Sequence, residues 1–192
     1  MKRAAFLDRD GVLTQLVADP DSGLPESPLA PRVVVRVAGA AAAAARLAGA
    51  GFLLVGVSNQ PAAAKGVVPL EQLAAVQARV VALLAAQGVV FDGFQVCWHH
   101  PDALVRELAG PCDCRKPAPG MLLEAAAALD IDLLGSWMVG DSDSDVLAGQ
   151  AAGTRTVLVE NPASAHRRRG TADPDATAAD LMEAQARIVG WR

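Results

Sequence analysis

Several stretches of the sequence bring acids, hydroxyls, a lysine and thiols to spacings that could carry chemistry. In Phe6-Leu7-Asp8-Arg9-Asp10-Gly11-Val12, two carboxylates two residues apart close a short apolar run. A carboxylate so placed can attack an electrophile, hold a hard cation or move protons. Gly11 allows a sharp turn behind the pair. An acidic turn or a fragment of a calcium loop would show the same letters. Val139-Gly140-Asp141-Ser142-Asp143-Ser144-Asp145 again follows an apolar run, and places three acids within five residues. These repel one another unless a cation or hydrogen bonds offset the charge, although Ser142, Asp143 or Ser144 could equally cap a helix. In Ser58-Asn59-Gln60, a hydroxyl and backbone N–H groups could cradle a phosphate. In Cys112-Asp113-Cys114-Arg115-Lys116-Pro117 a lysine stands beside two thiols, and a fixed cation could offset phosphate charge. Cys97, His99, Cys112 and Cys114 form two tight pairs that could fill a tetrahedral zinc shell, with His100 as an alternative ligand. Four protein ligands leave no open position, so such a zinc would be structural. Three buried free thiols, or a redox pair at Cys112 and Cys114, would be the plainer reading.

The elements that must position these groups alternate between strand and helix. Short apolar runs at 4–7, 52–57, 94–98, 137–140 and 154–159 predict five strands. Helices are expected at about 38–50, 69–87, 119–129 and 143–152, with one more near 176–188 in an otherwise polar tail. Residues 9–31 hold Pro20, Pro25, Pro28 and Pro31 and read as an irregular loop, and 97–117 as a second one. The alternation predicts a parallel sheet covered on both faces, a three-layer α/β/α sandwich. In open sheets of this kind ligands bind at the carboxyl ends of strands, where both acidic motifs fall. Two such clusters in one sheet point to a shared metal site.

At 192 residues the chain is expected to form one domain, 1–192, with a loop at 97–114 and a tail at 161–192. Hydrophobic residues make up 52% and charged ones 20%, which argues against disorder. The net charge of −4, with one basic run at Arg167-Arg168-Arg169, weighs against nucleic acid as a partner. Residues 37–57 carry a single charge, Arg46, but Gly49 and Gly51 split the stretch into a helix and a buried strand, not a membrane span. The apolar run after Met1-Lys2-Arg3 stops at Asp8, too short for a signal peptide, so a cytoplasmic monomer is expected. Three cysteines suit thiol ligands better than disulfides.

Taken together and in this order, the DxD segment, the serine after the second strand, the lysine before the fourth and the GDxxxD segment resemble the haloacid dehalogenase superfamily of phosphatases. The resemblance covers roughly 3–160. The pattern Cys97-Trp-His99-His100-Pro101 … Cys112-Asp-Cys114-Arg115-Lys116-Pro117 is narrower. It resembles the D-glycero-D-manno-heptose 1,7-bisphosphate 7-phosphatase family and the related histidinol-phosphate phosphatase domain, which lack a large cap domain. The resemblance implies a Mg²⁺-dependent phosphomonoester hydrolase acting on a small phosphorylated sugar. Asp8 would attack phosphorus and form an aspartyl-phosphate, and Asp10 would protonate the leaving oxygen and then activate water. Ser58 and the N–H of Asn59 would hold the phosphoryl oxygens, Lys116 would stabilise Asp8, and Arg115 would touch substrate. Mg²⁺ would be held by Asp8, the carbonyl of Asp10 and Asp141, with Asp145 oriented behind it. Histidinol phosphate is the alternative substrate, and a non-catalytic zinc-stabilised module the alternative class. Four departures from the family pattern bear on specificity: Pro61, Ser142, Thr14 and the 15–31 loop.

Overall fold

The computed structural model describes residues 1–19 and 22–191. Pro20 of the first long loop lies outside the described residues, as do Asp21 and Arg192. Six strands form the main sheet: β1 Arg3–Leu7, β4 Phe52–Asn59, β5 Gly93–Cys97, β6 Trp137–Gly140, β7 Arg155–Val159 and β8 Ala176–Ala178. Their spatial order is β5-β4-β1-β6-β7-β8, and every neighbouring pair is parallel. β2 Val17–Ala18 and β3 Pro25–Glu26 make a separate antiparallel ribbon. The helices are α1 Ala40–Gly49, α2 Leu70–Ala85, α3 Gly120–Leu129, α4 Asp143–Ala152 and α5 Leu181–Gly190.

The sheet is buried on both faces, which is why its strands read as continuous apolar runs and not as alternating ones. Within β1, Ala5 and Leu7 pack with α1, α2 and α5, whereas Ala4 and Phe6 pack with α3 and α4. The three-layer sandwich is therefore as expected. β1 is flanked by β4 on one side and β6 on the other, so the chain reverses its direction of travel across the sheet there. At such a switch point the connections leave toward opposite faces and open a crevice at the strand ends. The acids after β1 and β6 meet in that crevice.

Two segments differ from expectation. Residues 176–178 are the sixth strand, and the last helix begins only at Leu181. Three residues are too few to show a period, and their strand identity comes from pairing with β7. The Asp180 carboxylate accepts the Glu183 N–H at 2.9 Å and so fixes the start of α5. The loop 9–31 contains the β2–β3 ribbon, with Val17 opposite Glu26, in place of an irregular path. The polar tail is also anchored. Asp143 accepts hydrogen bonds from Arg169 N, Thr171 N and Thr171 Oγ1, and Asn161 donates to the Gly11 carbonyl. Residues 37–57 resolve into α1 and β4, and among the described residues no helix is long and apolar enough to cross a membrane.

Candidate active site and metal centres

Asp8 follows β1, and its N–H donates to the Val139 carbonyl of β6 at 2.9 Å, tying the two acidic motifs together. Lys116 Nζ lies 2.6 Å from Asp8 Oδ1 and 2.6 Å from Asp145 Oδ1, and donates to the Val57 carbonyl at 2.9 Å. Asp8, Asp141 and Asp145 converge so closely that one oxygen of each lies within 4.8 Å of the others. All three are buried; Lys116 pairs with Asp8 and Asp145, whereas the Asp141 carboxylate has no hydrogen-bond partner among the described residues. Burial first, then Asp145 and Asp10, push the Asp8 carboxyl up to about 6 against the pull of Lys116. Burial, Asp8 and Asp145 push Asp141 up to about 8. Lys116 moves up as well: burial opposes its charge, but Asp145 and Asp8 outweigh that.

These observations test whether a divalent cation fits. Among the described residues, neither carboxylate oxygen of Asp141 has a hydrogen-bond partner, although both are buried. Orphaned buried oxygens are costly. Asp8 and Asp141 offer the hard oxygen ligands that Mg²⁺ takes, and a cation would relieve their mutual repulsion. Glycine is required beside them. Gly11 has φ +96°, and a Cβ there would overlap Asp141 Oδ2. A Cβ at Gly140 would strike Asp145. Asp145 is fixed from the other side, because its Oδ2 accepts from Ser142 N at 3.0 Å and from Ser142 Oγ at 2.6 Å. Of the three expected helix caps, Ser142 is the one used, in a capping box with Asp145.

Asp10 has a different environment. Arg9, fully buried, donates Nε to Oδ1 at 3.0 Å and Nη2 to Oδ2 at 2.7 Å. Thr14 Oγ1 and Gln60 Nε2 complete the set at 2.8 and 2.7 Å. Burial alone would raise this carboxyl, but Arg9 and the four donated bonds outweigh it and hold Asp10 below the usual carboxylate range. The same Gln60 nitrogen lies 2.9 Å from Ser58 Oγ, so one amide links the serine and the acid. Arg9 and Gln60 sit inside the motifs, but motif spacing carries no sign of which neighbour they engage. Thr14, a departure from the family pattern, turns out to lie buried against Asp10.

Asn59 pairs with the Lys116 backbone in both directions, donating from Nδ2 to its carbonyl at 2.9 Å and accepting its N–H at 3.1 Å. Its side chain therefore holds the lysine segment in place. Asp8, Asp10, Ser58, Asn59, Arg115, Lys116 and Asp141 all line one cavity of about 270 Å³. Its mouth adds groups outside the four motifs: Glu26 from the ribbon and Ser27 just after it, Pro61, Lys65, and Arg167 from the tail.

The second cluster lies at the end of β5. Cys97 Sγ is 3.7 Å from Cys112 Sγ and 3.0 Å from Cys114 Sγ, and His99 Nδ1 is 3.3 Å from Cys114 Sγ and 3.8 Å from Cys97 Sγ. With Zn–S near 2.3 Å, two sulfurs of a tetrahedral site stand about 3.7 Å apart, so the donors fit zinc with little movement. His100 is not among them, and its Nδ1 accepts the Asp102 N–H instead. Burial and the adjacent sulfurs hold the Cys114 thiol well above its usual range, a crowding that a cation relieves. Elemental analysis should find about one zinc per chain after Mg²⁺ is dialysed away. Cys112→Ser should lower the melting temperature, because zinc binding and loop ordering are coupled, while a small activated phosphate is still turned over. A zinc-free protein of normal stability would overturn this.

The fold and the crevice define a HAD-type phosphatase. The HAD-hydrolase-like family model matches residues 113–184. A D-glycero-β-D-manno-heptose-1,7-bisphosphate 7-phosphatase of Vibrio cholerae is 38% identical over 158 residues, spanning 82% of this chain and 81% of that protein. The Pasteurella multocida enzyme of the same name is 40% identical over 164 residues, 83% of each. With the Yersinia pestis relative the aligned stretch, 44% identical, spans 57% of this chain and 58% of that protein. Among solved structures, the D,D-heptose 1,7-bisphosphate phosphatase of B. bronchiseptica, complexed with magnesium and phosphate, superposes with a TM-score of 0.75. It is 31% identical and covers 97% of this chain and 98% of that one. A HAD-like phosphatase from Mesorhizobium loti gives 0.79 at 31% identity, over 98% and 86%. The chain belongs to the heptose-1,7-bisphosphate 7-phosphatase family.

Proposed function

We propose that this phosphatase removes the 7-phosphate of a heptose 1,7-bisphosphate through an aspartyl-phosphate on Asp8. The observation that carries the reading is the convergence of Asp8, Lys116 and the orphaned Asp141 carboxylate at the floor of a cavity that Ser58 also lines. Bound Mg²⁺, held by the Asp8 and Asp141 carboxylates and the Asp10 carbonyl, would supply positive charge where an anionic nucleophile meets an anionic phosphate. The chain's own groups do the rest. Lys116 offsets charge on Asp8 and on the transferring phosphoryl group, while Asp145, braced by Ser142, fixes the lysine. Ser58 Oγ and the Asn59 N–H take the phosphoryl oxygens, and Arg115 contacts the sugar phosphate at the rim. The chain acts as one domain.

Asp10 begins ionised, clamped by Arg9, Thr14 and Gln60. To protonate the leaving oxygen it must take up a proton and turn from part of this clamp. The approach of a dianionic phosphate favours that uptake, because a like charge raises a carboxyl pKa. Asp10→Asn should keep phosphate binding and lower kcat by about 10²–10⁴-fold. The loss should be larger on a sugar phosphate than on an aryl phosphate, whose leaving group needs no proton. An equal loss on both would sink the acid role. The substrate assignment is tested by kcat/KM on heptose bisphosphate against histidinol phosphate and other sugar phosphates. Heptose bisphosphate should lead, and a preference for histidinol phosphate would overturn the assignment.

A further inference from the structure

The floor of the cavity accounts for one phosphate, and a sugar bisphosphate carries two. At the mouth stand three cations, Lys65, Arg115 and Arg167, with one carboxylate, Glu26, among them. Arg167 is the best held of these groups that lie outside the four motifs. Its Nη2 donates to Glu26 Oε2 at 2.6 Å, and its side chain is 21% exposed. The segment carrying it is braced on both sides. Arg168 donates to the Asp141, Asn161 and Ser164 positions, and Asp143 holds the backbone at Arg169 and Thr171. The ribbon strand bearing Glu26 is thereby docked on the tail, and the guanidinium is fixed at the mouth before any ligand arrives. A guanidinium has five donors in a rigid fork. Among the described residues, the Glu26 contact engages one terminal nitrogen.

We infer that Arg167 is a specificity-determining residue that grips the phosphate that is not cleaved. The inference rests on the substrate reading above. Glu26 neutralises part of the charge and engages one terminal nitrogen, while the Arg167 side chain lines the cavity. Pre-positioned Arg–phosphate contacts of this kind are strong and directional. Among the described residues Arg167 makes no hydrogen bond to Asp8, Asp141 or Lys116, although its charge is felt at Asp141 and Asp8, so its main effect belongs to substrates with a second phosphate.

The test compares heptose 1,7-bisphosphate with heptose 7-phosphate on the wild-type enzyme and on Arg167→Met and Arg167→Lys. Wild type should prefer the bisphosphate. Arg167→Met should lower kcat/KM for the bisphosphate roughly ten- to hundredfold, mainly through KM, the range expected for a charged hydrogen bond. It should leave heptose 7-phosphate within about twofold, and activity on that substrate in the same preparation reports an intact fold. Arg167→Lys should restore part of the preference, since it keeps the charge and loses the fork. An equal loss on both substrates, or no loss on either, overturns the inference while leaving the substrate reading standing. A wild-type enzyme with no preference for the bisphosphate overturns the substrate reading and the subsite with it, a failure visible before any variant is made.

Discussion

Asp8→Asn should abolish turnover, by roughly 10⁴-fold or more, on every phosphomonoester including activated aryl phosphates. An amide does not attack phosphorus, and no neighbouring acid can take its place. Asp10 is committed to Arg9, Asp145 to Ser142 and Lys116, and Asp141 lies behind Gly11. The same change should not unfold the protein. Asp8 is one of three crowded, buried carboxylates, and burial first, then Asp145 and Asp10, hold its carboxyl at about 6 because ionisation there is unfavourable. Removing that charge relieves repulsion in the metal-free enzyme, so its melting temperature in EDTA should hold or rise. Activity lost with stability kept identifies a nucleophile, since a structural acid would lose both. Appreciable hydrolysis by Asp8→Asn, checked by single-turnover phosphate release, would rule out the covalent route.

Removal of divalent metal should have an effect of similar size. EDTA should silence the enzyme and Mg²⁺ should restore it, with Ca²⁺ a poor substitute because it prefers higher coordination and looser geometry. The dependence on pH has a definite sign. With Asp141 near 8 in the metal-free protein, the cation must displace a proton at neutral pH. The Mg²⁺ concentration giving half-maximal activity should therefore rise about tenfold per pH unit as pH falls from about 8 to 6, and more steeply below 6 where Asp8 is protonated too. Stability follows the same groups. Between about 4 and 8 the folded metal-free protein holds more protons on Asp8 and Asp141 than the unfolded chain does. The contribution of these groups is then fully present below about 4 and is lost as pH rises through 6 and 8. Thermal melts in EDTA should show this decline and melts in Mg²⁺ should flatten it. Full activity after verified metal removal would defeat the reading of Asp8 and Asp141 as ligands.

Much of the scaffold is legible before folding. Helix α4 and strand β6 fall at the expected residues, and the helix expected at 69–87 spans Leu70–Ala85. β6 is apolar and buried throughout, α2 is long and periodic with Leu73, Val76, Val80 and Leu84 buried, and α4 starts at the Ser142 cap, so local pattern and tertiary burial agree. Strand β8 was not legible, because three residues of Ala-Thr-Ala take their conformation from β7 alongside and not from themselves. The β2–β3 ribbon escaped for the same reason, since two-residue strands among prolines carry no period.

The candidate site divides along the same line. The sequence by itself determined which groups are present: paired acids at strand ends, a hydroxyl after β4, a lysine beside thiols, and four soft ligands at zinc spacing. Motif spacing is local, and a strand followed by a turn puts its last acid at the sheet edge whatever else the chain does. Only the tertiary structure decided which groups share charge. Lys116 reaches Asp8 across 108 positions, Gln60 joins Asp10 to Ser58, and His99 enters the sulfur cluster while His100 turns away. It also brought Glu26 and Arg167, 141 residues apart, to the mouth of the cavity. The physical reason is that ionisation and recognition depend on distance and burial, which fall off over a few ångströms. The parallel sheet sets those distances by placing β1 between β4 and β6.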